Sequence, residues 1–563
     1  MKLIIAGIGI AIIITIGILA IAIATLVKVS NQTNDRPYVD TSSTTTTTTT
    51  TPGNLVLAES IRIDDVMNYL KELQRIATAN NGNRAITTTG FNETLHYIIN
   101  TLAINTNYKV STQFFPIRQF ALDGIPILIA SINGVSKNYT YSTNLAAADF
   151  YHIQFSIGAN FSNFIPLTAI PNVGCSDVDW QNANPLPVGR VALVKRGICT
   201  FNEKGALAAK YNVSALLIYN DGATPDRVSP IAVSLGQENY LPALFLSSSI
   251  GQELVNAAQN TPTNAGVRII IQVEDLPLSP IGNICADTPT GDVTQTIVVG
   301  SHSDSVPAGP GINDNGSGST ANLGLAIALA RLFNNSNYAK YKYRVRFCWW
   351  GAEEIGLLGA DYHVKQAKIT TVIGERLTDY LINLNYDMLG SPNYIFGIYD
   401  GRTANNNTPV HALPGSNKIT AVYREWFTRQ NLPWNYTDFS GRSDYGPFLA
   451  EGIVAGGLFS GADGMKSIYE RDYYDKMLGQ GLGGIASAIH DPCYHRACDS
   501  IQNINVFAYE KMVQAAAYVL EYLARQDDLK QWLYPEGRPL GVKNQQSQRK
   551  YNSINEYFRM PYS

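Results

Sequence analysis

Thr296-Ile297-Val298-Val299-Gly300-Ser301-His302-Ser303-Asp304, followed by Gly309-Pro310-Gly311-Ile312-Asn313-Asp314-Asn315-Gly316-Ser317-Gly318-Ser319, is the stretch that decides the fold. A β-branched apolar run ends in a polar, glycine-rich loop, and a helix is expected from about Ser319. That order, strand then loop then helix, is the building unit of an α/β sheet. His302 and Asp304 stand two positions apart at the strand's end, on one side of an extended chain. An imidazole and a carboxylate so placed either serve a metal or orient one another. Asp314 lies among Gly309, Gly311, Gly316 and Gly318, a density that lets backbone approach a charged centre closely. Gly311 and Gly316 have the spacing of a phosphate-binding loop, but Ser317 and Gly318 stand where Lys and Ser/Thr belong, so that reading fails.

The pattern repeats further along the chain. Val345 to Trp350 reads as a buried strand, with Glu353 and Glu354 just past its end, and Leu381 to Tyr386 as another, ending at Asp387. On a turn into a helix over 355–364 the two glutamates divide labour, one binding metal and one contacting water; alternatively they only complement the helix macrodipole. Acidic or imidazole groups thus mark the ends of three strands, where open α/β sheets bind ligands. His495 follows Tyr494 in a short loop between Cys493 and Cys498, whereas His96, His152, His363, His411 and His490 have no comparable setting and read as structural. Gly441-Arg442-Ser443-Asp444-Tyr445 lacks the closing glycine of a nucleophile elbow, which leaves serine catalysis little support.

With 563 residues the chain exceeds one ordinary core, and 42 basic against 45 acidic residues exclude a nucleic-acid binder driven by net charge. Residues 3–27 are almost unbroken Ile, Leu, Val, Ala and Gly, long enough for a hydrocarbon core of ~30 Å, so a transmembrane signal anchor over 1–28 is expected rather than a cleaved signal peptide. The Thr-rich tract within 29–54 is expected to be an unfolded stalk. Sequons at Asn31, Asn92, Asn138, Asn160, Asn212, Asn334, Asn406 and Asn435 all follow the apolar run and place the chain beyond it on the lumenal or outer side. There, six cysteines favour disulfides: Cys493 and Cys498 flank one loop, Cys175 and Cys199 bracket another segment, and Cys285 and Cys348 read as buried thiols or a third bridge. Short β-rich runs over 125–275 interrupt the helical opening at 55–124 and the strand–helix alternation of 276–525; residues 526–563 read as an extension or packing arm.

Five stretches, GSHSDSVPAGPGINDNGSGS (300–319), VRFCWWGAEEIGLLGADY (345–362), NYDMLGSPNY (385–394), GRSDYGPF (441–448) and DPCYHRACD (491–499), resemble the co-catalytic zinc aminopeptidases, most of all the vacuolar aminopeptidase Y type. VALVKRGICTFNEKGALAAKYNVSALLIYND (191–221) resembles a protease-associated (PA) domain. The resemblance implies a mixed-sheet α/β fold with helices on both faces, interrupted by a β-rich module with a role in access or substrate positioning, not catalysis. It implies two Zn²⁺ ions per chain, Asp314 bridging them, His302 and Asp387 completing one site, and Glu354 and His495 the other. Glu353 would be the general base, Tyr494 an oxyanion stabiliser, Asp304 a support for His302, and Arg442 and Asp444 would line the substrate pocket. The expected partner is a peptide with a free N-terminus, handled by a membrane-anchored enzyme facing the exterior or a vacuolar or lysosomal lumen, or by a secreted one if the anchor is cleaved. A carboxypeptidase of the glutamate carboxypeptidase type is the rival, but its relatives carry a long helical domain after the core, and fewer than 70 residues follow His495. An inactive receptor on this fold would show a broken ligand set, and here none of the five is missing.

Overall fold

The computed structural model describes residues 55–224, 227–237, 241–260, 264–404 and 408–538. The expected anchor and stalk, the sequons at Asn31 and Asn406, and residues 539–563 lie outside them. Among the described residues no helix is long and apolar enough to cross a membrane. Segment Lys466–Ser487 falls in a different unit from the other described residues. Its helix Ile468–Leu478 starts on a capping box between Ser467 and Glu470, which satisfies two amides that the first turn leaves free.

The rest contains two sheets. The first has eight strands, in the order Lys109–Ile117, Ser279–Asp287, Tyr343–Trp350, Asp292–His302, Tyr380–Tyr386, Val454–Phe459, Gly397–Asp400, Asn435–Asp438. Its four middle strands, from Tyr343–Trp350 to Val454–Phe459, run parallel, and the flanking pairs with Ser279–Asp287 and Gly397–Asp400 are antiparallel. Every residue of Tyr343–Trp350 and of Tyr380–Tyr386 is buried. This is why these strands read as continuous apolar runs rather than alternating ones: a parallel sheet is covered on its faces. Helices Gly318–Phe333, Leu413–Arg429 and Val506–Ala524 pack on these strands, and helix Ile63–Ala79 packs on Gly318–Phe333. Beyond Asp527, helix Leu529–Leu533 is followed by buried Tyr534, whose hydroxyl donates to the Leu381 carbonyl and accepts from the Val454 amide. This part of the tail is therefore packed onto the sheet.

The second sheet is built from residues 127–271. Its order is Val135–Asn138, Ile127–Ile132, Ala265–Ile271, Ile165–Ala169, Val191–Lys195, Ala215–Tyr219, Ala243–Leu246, Phe150–Gln154, Val233–Ser234, with Ala159–Asn160 paired to Ala265–Ile271. Helix Phe201–Lys210 opens on a capping box between Thr200 and Glu203. Two apolar clusters form its core, one around Leu128, Leu167, Leu193, Leu217 and Leu244, the other around Trp180, Leu216 and Phe245.

All six cysteines pair: Cys175–Cys199, Cys285–Cys348 and Cys493–Cys498. Cys285 and Cys348 stand opposite each other on adjacent antiparallel strands, which resolves the open choice between thiols and a third bridge. Of the sequon asparagines in the described residues, Asn92, Asn138, Asn160, Asn212 and Asn334 are exposed, and Asn435 is half-buried.

One expected element moves. The helix after the paired glutamates spans Leu358–Ile369, not 355–364. Gly356 (φ 120°) and Leu357 (φ 61°) break the helical path, because only glycine takes the first conformation without strain. Glu353 and Glu354 therefore belong to a loop, and the macrodipole explanation for them falls.

Candidate metal centre

The parallel strands deliver the sequence-predicted residues to one place. His302 is the last residue of its strand and fully buried. Its Nδ1 lies 3.2 Å from the Asp304 backbone carbonyl and 3.6 Å from the Asp304 carboxylate. Its Nε2 faces Asp314 Oδ1 at 3.4 Å, Asp387 Oδ1 at 3.5 Å and Glu353 Oε2 at 3.8 Å. On the other side, His495 Nε2 lies 3.0 Å from Asp314 Oδ2 and 3.1 Å from Glu354 Oε2. Asp314 thus offers one carboxylate oxygen to each imidazole. His302, Asp314 and Asp387 form one group with the spacing to hold a metal ion, and Asp314, Glu354 and His495 a second.

Local structure explains these placements. Asp314 sits in an irregular turn, Ile312–Ser317, ahead of helix Gly318–Phe333, and its non-helical backbone (φ −106°, ψ 94°) turns the side chain away from the helix path. Asp387 follows Tyr386 directly and is fixed by Ser443, whose hydroxyl donates to Oδ2 at 2.7 Å and itself accepts from the Asn385 amide at 2.8 Å. The Asp304 carboxylate accepts from the backbone amides of Glu353 (3.2 Å) and Glu354 (3.4 Å). It therefore supports the glutamate loop as well as facing His302. His495 adopts φ 57° inside the loop closed by Cys493–Cys498, with the Tyr494 ring stacked on it at 3.9 Å. Asp444 is fully buried with neither carboxylate oxygen partnered, and Arg442, two residues earlier, is exposed.

So many acids in a closed volume distort one another's titration. Burial pushes the Glu353 and Asp444 carboxyls well above the usual range, and neighbouring carboxylates add to it. Burial and then Asp314 raise Glu354 to about 7. Burial pulls the other way on the imidazoles but loses: Glu353 and Asp387 hold His302, and Glu354 and Asp314 hold His495, well above the ordinary value. Burial likewise works to raise Asp314, yet the flanking imidazoles keep it low. Burial also raises the Tyr494 hydroxyl, which stays a proton donor at neutral pH.

The residues fit a metal. His302 Nε2, Asp387 Oδ1 and Glu354 Oε1 are buried without a hydrogen-bond partner, an arrangement that costs free energy unless something else satisfies them. Imidazole nitrogen and carboxylate oxygen in groups of three are the donors that Zn²⁺ takes, with room for further ligands.

Sequence reading had not singled out Arg84, Ser443, Asn385 or Asp499 for roles in this centre. Ser443, Asn385 and Asp499 all lie inside the quoted motifs, Asn385 two residues before Asp387, so proximity is their only signal. Arg84 lies more than two hundred residues before the first ligand and carried none.

A parallel-centred α/β sheet with two imidazole–carboxylate groups sharing one aspartate at its strand ends defines the class, a candidate metal-dependent hydrolase. The relationship is specific. Residues 283–520 match Peptidase family M28 and residues 164–254 match the PA domain. An aminopeptidase of Pseudomonas aeruginosa is 33% identical over 481 residues, covering 84% of this chain and 82% of that one. Leucine aminopeptidase 2 of Trichophyton rubrum is 32% identical over 473 residues, 83% and 86% of the two chains. A zinc aminopeptidase from Bacillus subtilis shares the fold with a TM-score of 0.51 at 19% identity, covering 82% of this chain and 94% of that one. The chain belongs to peptidase family M28 and carries a PA domain ahead of its M28 segment.

Proposed function

We propose that this chain is a zinc-dependent aminopeptidase that hydrolyses the first peptide bond of substrates with a free N-terminus, using two Zn²⁺ ions and Glu353 as general base. The observation that carries the reading is Asp314, whose two carboxylate oxygens face His302 at 3.4 Å and His495 at 3.0 Å. His302 and Asp387 would hold one ion and Glu354 and His495 the other, with Asp314 common to both. Bound there, zinc supplies Lewis acidity toward the scissile carbonyl and lowers the pKa of a water.

Every other task falls to the chain. Glu353, 3.8 Å from His302 Nε2 and in a setting that raises its proton affinity, takes the water's proton and returns it to the leaving amine. Tyr494 keeps its hydroxyl proton and donates a hydrogen bond to the developing oxyanion. Asp304 steadies His302 and the glutamate loop. The surplus of carboxylates attracts the substrate's α-ammonium, which is what restricts cleavage to the amino end. Arg442, exposed, lines the pocket, whereas Asp444, expected beside it, is fully buried and presents no surface to substrate. Similarity to named aminopeptidases over more than four fifths of their length supports the same activity.

The three disulfides support synthesis into an oxidising compartment. Tethering by the segment 1–28, with the catalytic domain extracellular or in a vacuolar or lysosomal lumen, completes the proposal. The test is metal counting on the purified ectodomain together with turnover of aminoacyl chromogenic substrates and of N-acetylated peptides. Two zinc ions per chain and cleavage of only the free-amine substrates are expected. Cleavage of N-acetylated peptides at their C-terminus would place the chain among carboxypeptidases instead.

A further inference from the structure

Arg84 precedes the peptidase core by almost two hundred residues, yet it is fully buried against the loops that present the metal-binding side chains. Its guanidinium donates to three backbone carbonyls: Nη1 to Ser303 at 2.6 Å, Nε to Pro310 at 3.0 Å and Nη2 to Gly311 at 2.6 Å. Its backbone joins in, with the amide donating to Ser305 Oγ at 2.9 Å and the carbonyl accepting from the Ser305 amide at 3.3 Å. Ser303 lies between His302 and Asp304, and Gly311 lies three residues before Asp314. One planar fork therefore fixes the distance between the loop bearing the first imidazole and the loop bearing the shared aspartate.

A carboxyl group holds the residues that follow Gly311 in the same loop. Asp499 accepts from the Asn313 amide at 2.8 Å and the Asp314 amide at 3.0 Å. It follows the disulfide loop that carries His495, and Asn503 braces it, donating from Nδ2 at 3.3 Å. The polarity is complementary: donors of a guanidinium take the loop's carbonyls, and acceptor oxygens of a carboxyl group take its amides. Lysine is no substitute at the first position, because a single ammonium cannot span three carbonyls the way a guanidinium does.

We propose that Arg84 and Asp499 form a clamp that positions Asp314 between the two metal sites, so that zinc affinity depends on residues that never touch the metal. The inference rests on the dinuclear zinc reading above. Groups that orient ligands from behind typically contribute about 10- to 100-fold in metal affinity, and a fork to three carbonyls belongs at the upper end.

The test is zinc affinity by chelator competition, measured on wild type, Arg84→Lys and Asp499→Asn, with melting temperature recorded with and without zinc. Both variants are expected to bind zinc at least 10-fold more weakly, and added zinc should restore part of the lost kcat/KM. A purely structural role would lower the metal-free melting temperature while leaving zinc affinity at the wild-type value, and that result overturns the clamp. Should Arg84→Lys not fold, Ser305→Ala removes only the hydroxyl that accepts from the Arg84 amide and donates to the Gly309 carbonyl at 3.1 Å. A several-fold loss of zinc affinity is expected for it, and unchanged affinity overturns the proposal. Wild type that binds no zinc would instead defeat the dinuclear reading, so the two failures are distinct.

Discussion

The two sheets of this protein share a local design and differ in what they place at its ends. Val191–Lys195, Ala215–Tyr219 and Ala243–Leu246 are parallel and buried, as are the central strands of the eight-stranded sheet. Their carboxyl ends lead into Arg196, Asn220-Asp221 and Ser247, and Asp221 is neutralised by Arg227 at 2.6 Å. The eight-stranded sheet ends its strands in His302, Glu353-Glu354 and Asp387. Among the described residues, groups spaced to hold a metal occur only there. Strand ends thus supply a place for chemistry, while the excess of unpaired acid over base decides whether a cation is needed. The two parts meet at Arg196 and Asp463, 2.9 Å apart.

Replacing Glu353 with Gln should lower kcat by roughly 10²–10⁴-fold, the range for loss of a general base, with zinc content unchanged by metal analysis. Normal turnover in that variant would leave the eight-stranded sheet with a metal site but no base. Replacing Asp314 with Ala should abolish the binding of both ions, because the shared ligand serves both groups; loss of only one would show that the groups are independent.

Next comes pH. The metal-free cluster keeps His302 and His495 protonated above the ordinary imidazole value and Glu354 protonated up to about 7. A group whose folded pKa is raised stabilises the fold below its unfolded pKa, and that contribution disappears as pH rises through the folded value. The cluster's contribution to the stability of the metal-free protein should therefore fall as pH rises from about 4.5 past 7. Zinc needs neutral imidazoles and ionised carboxylates, so its binding releases protons and strengthens over the same interval. The melting-temperature gap between zinc-loaded and zinc-free protein should widen with pH, and a gap that narrows refutes the electrostatic account.

The smallest effect is expected in the other region. Arg196→Ala removes a partly shielded ion pair, which is worth about 1 kcal/mol at most. A rise in KM of about five-fold or less, with kcat and zinc content unchanged, is the outcome if the PA domain acts on substrate access. A fall in kcat instead would tie the ten-stranded sheet to the chemistry.

Much of this was legible in the chain. The apolar runs at Thr296, Val345 and Leu381 announced fully buried strands because parallel sheets hide their faces. His302, Asp314, Glu353, Glu354, Asp387 and His495 stood out because acids and imidazoles at strand ends are uncommon without a task. The helix after Glu354 begins three residues later than its periodicity suggests, since Gly356 and Leu357 take positive-φ backbone that side-chain periodicity does not register. Pairing of Cys285 with Cys348 was left open for a similar reason: it depends on strand register, which a sequence of buried residues does not display.

The candidate ligands and the α/β character are readable in the chain, because both depend on residue type and on short-range spacing. Which oxygen of Asp314 faces which imidazole follows only from the assembled fold. The assembled fold also shows that Asp304 holds the glutamate loop through its amides, and that Arg84 bonds the carbonyls and Asp499 the amides of neighbouring loop residues. Those outcomes depend on hydrogen bonds between segments up to more than two hundred residues apart, and the geometry of such bonds exists only once the sheet has brought its strand ends together.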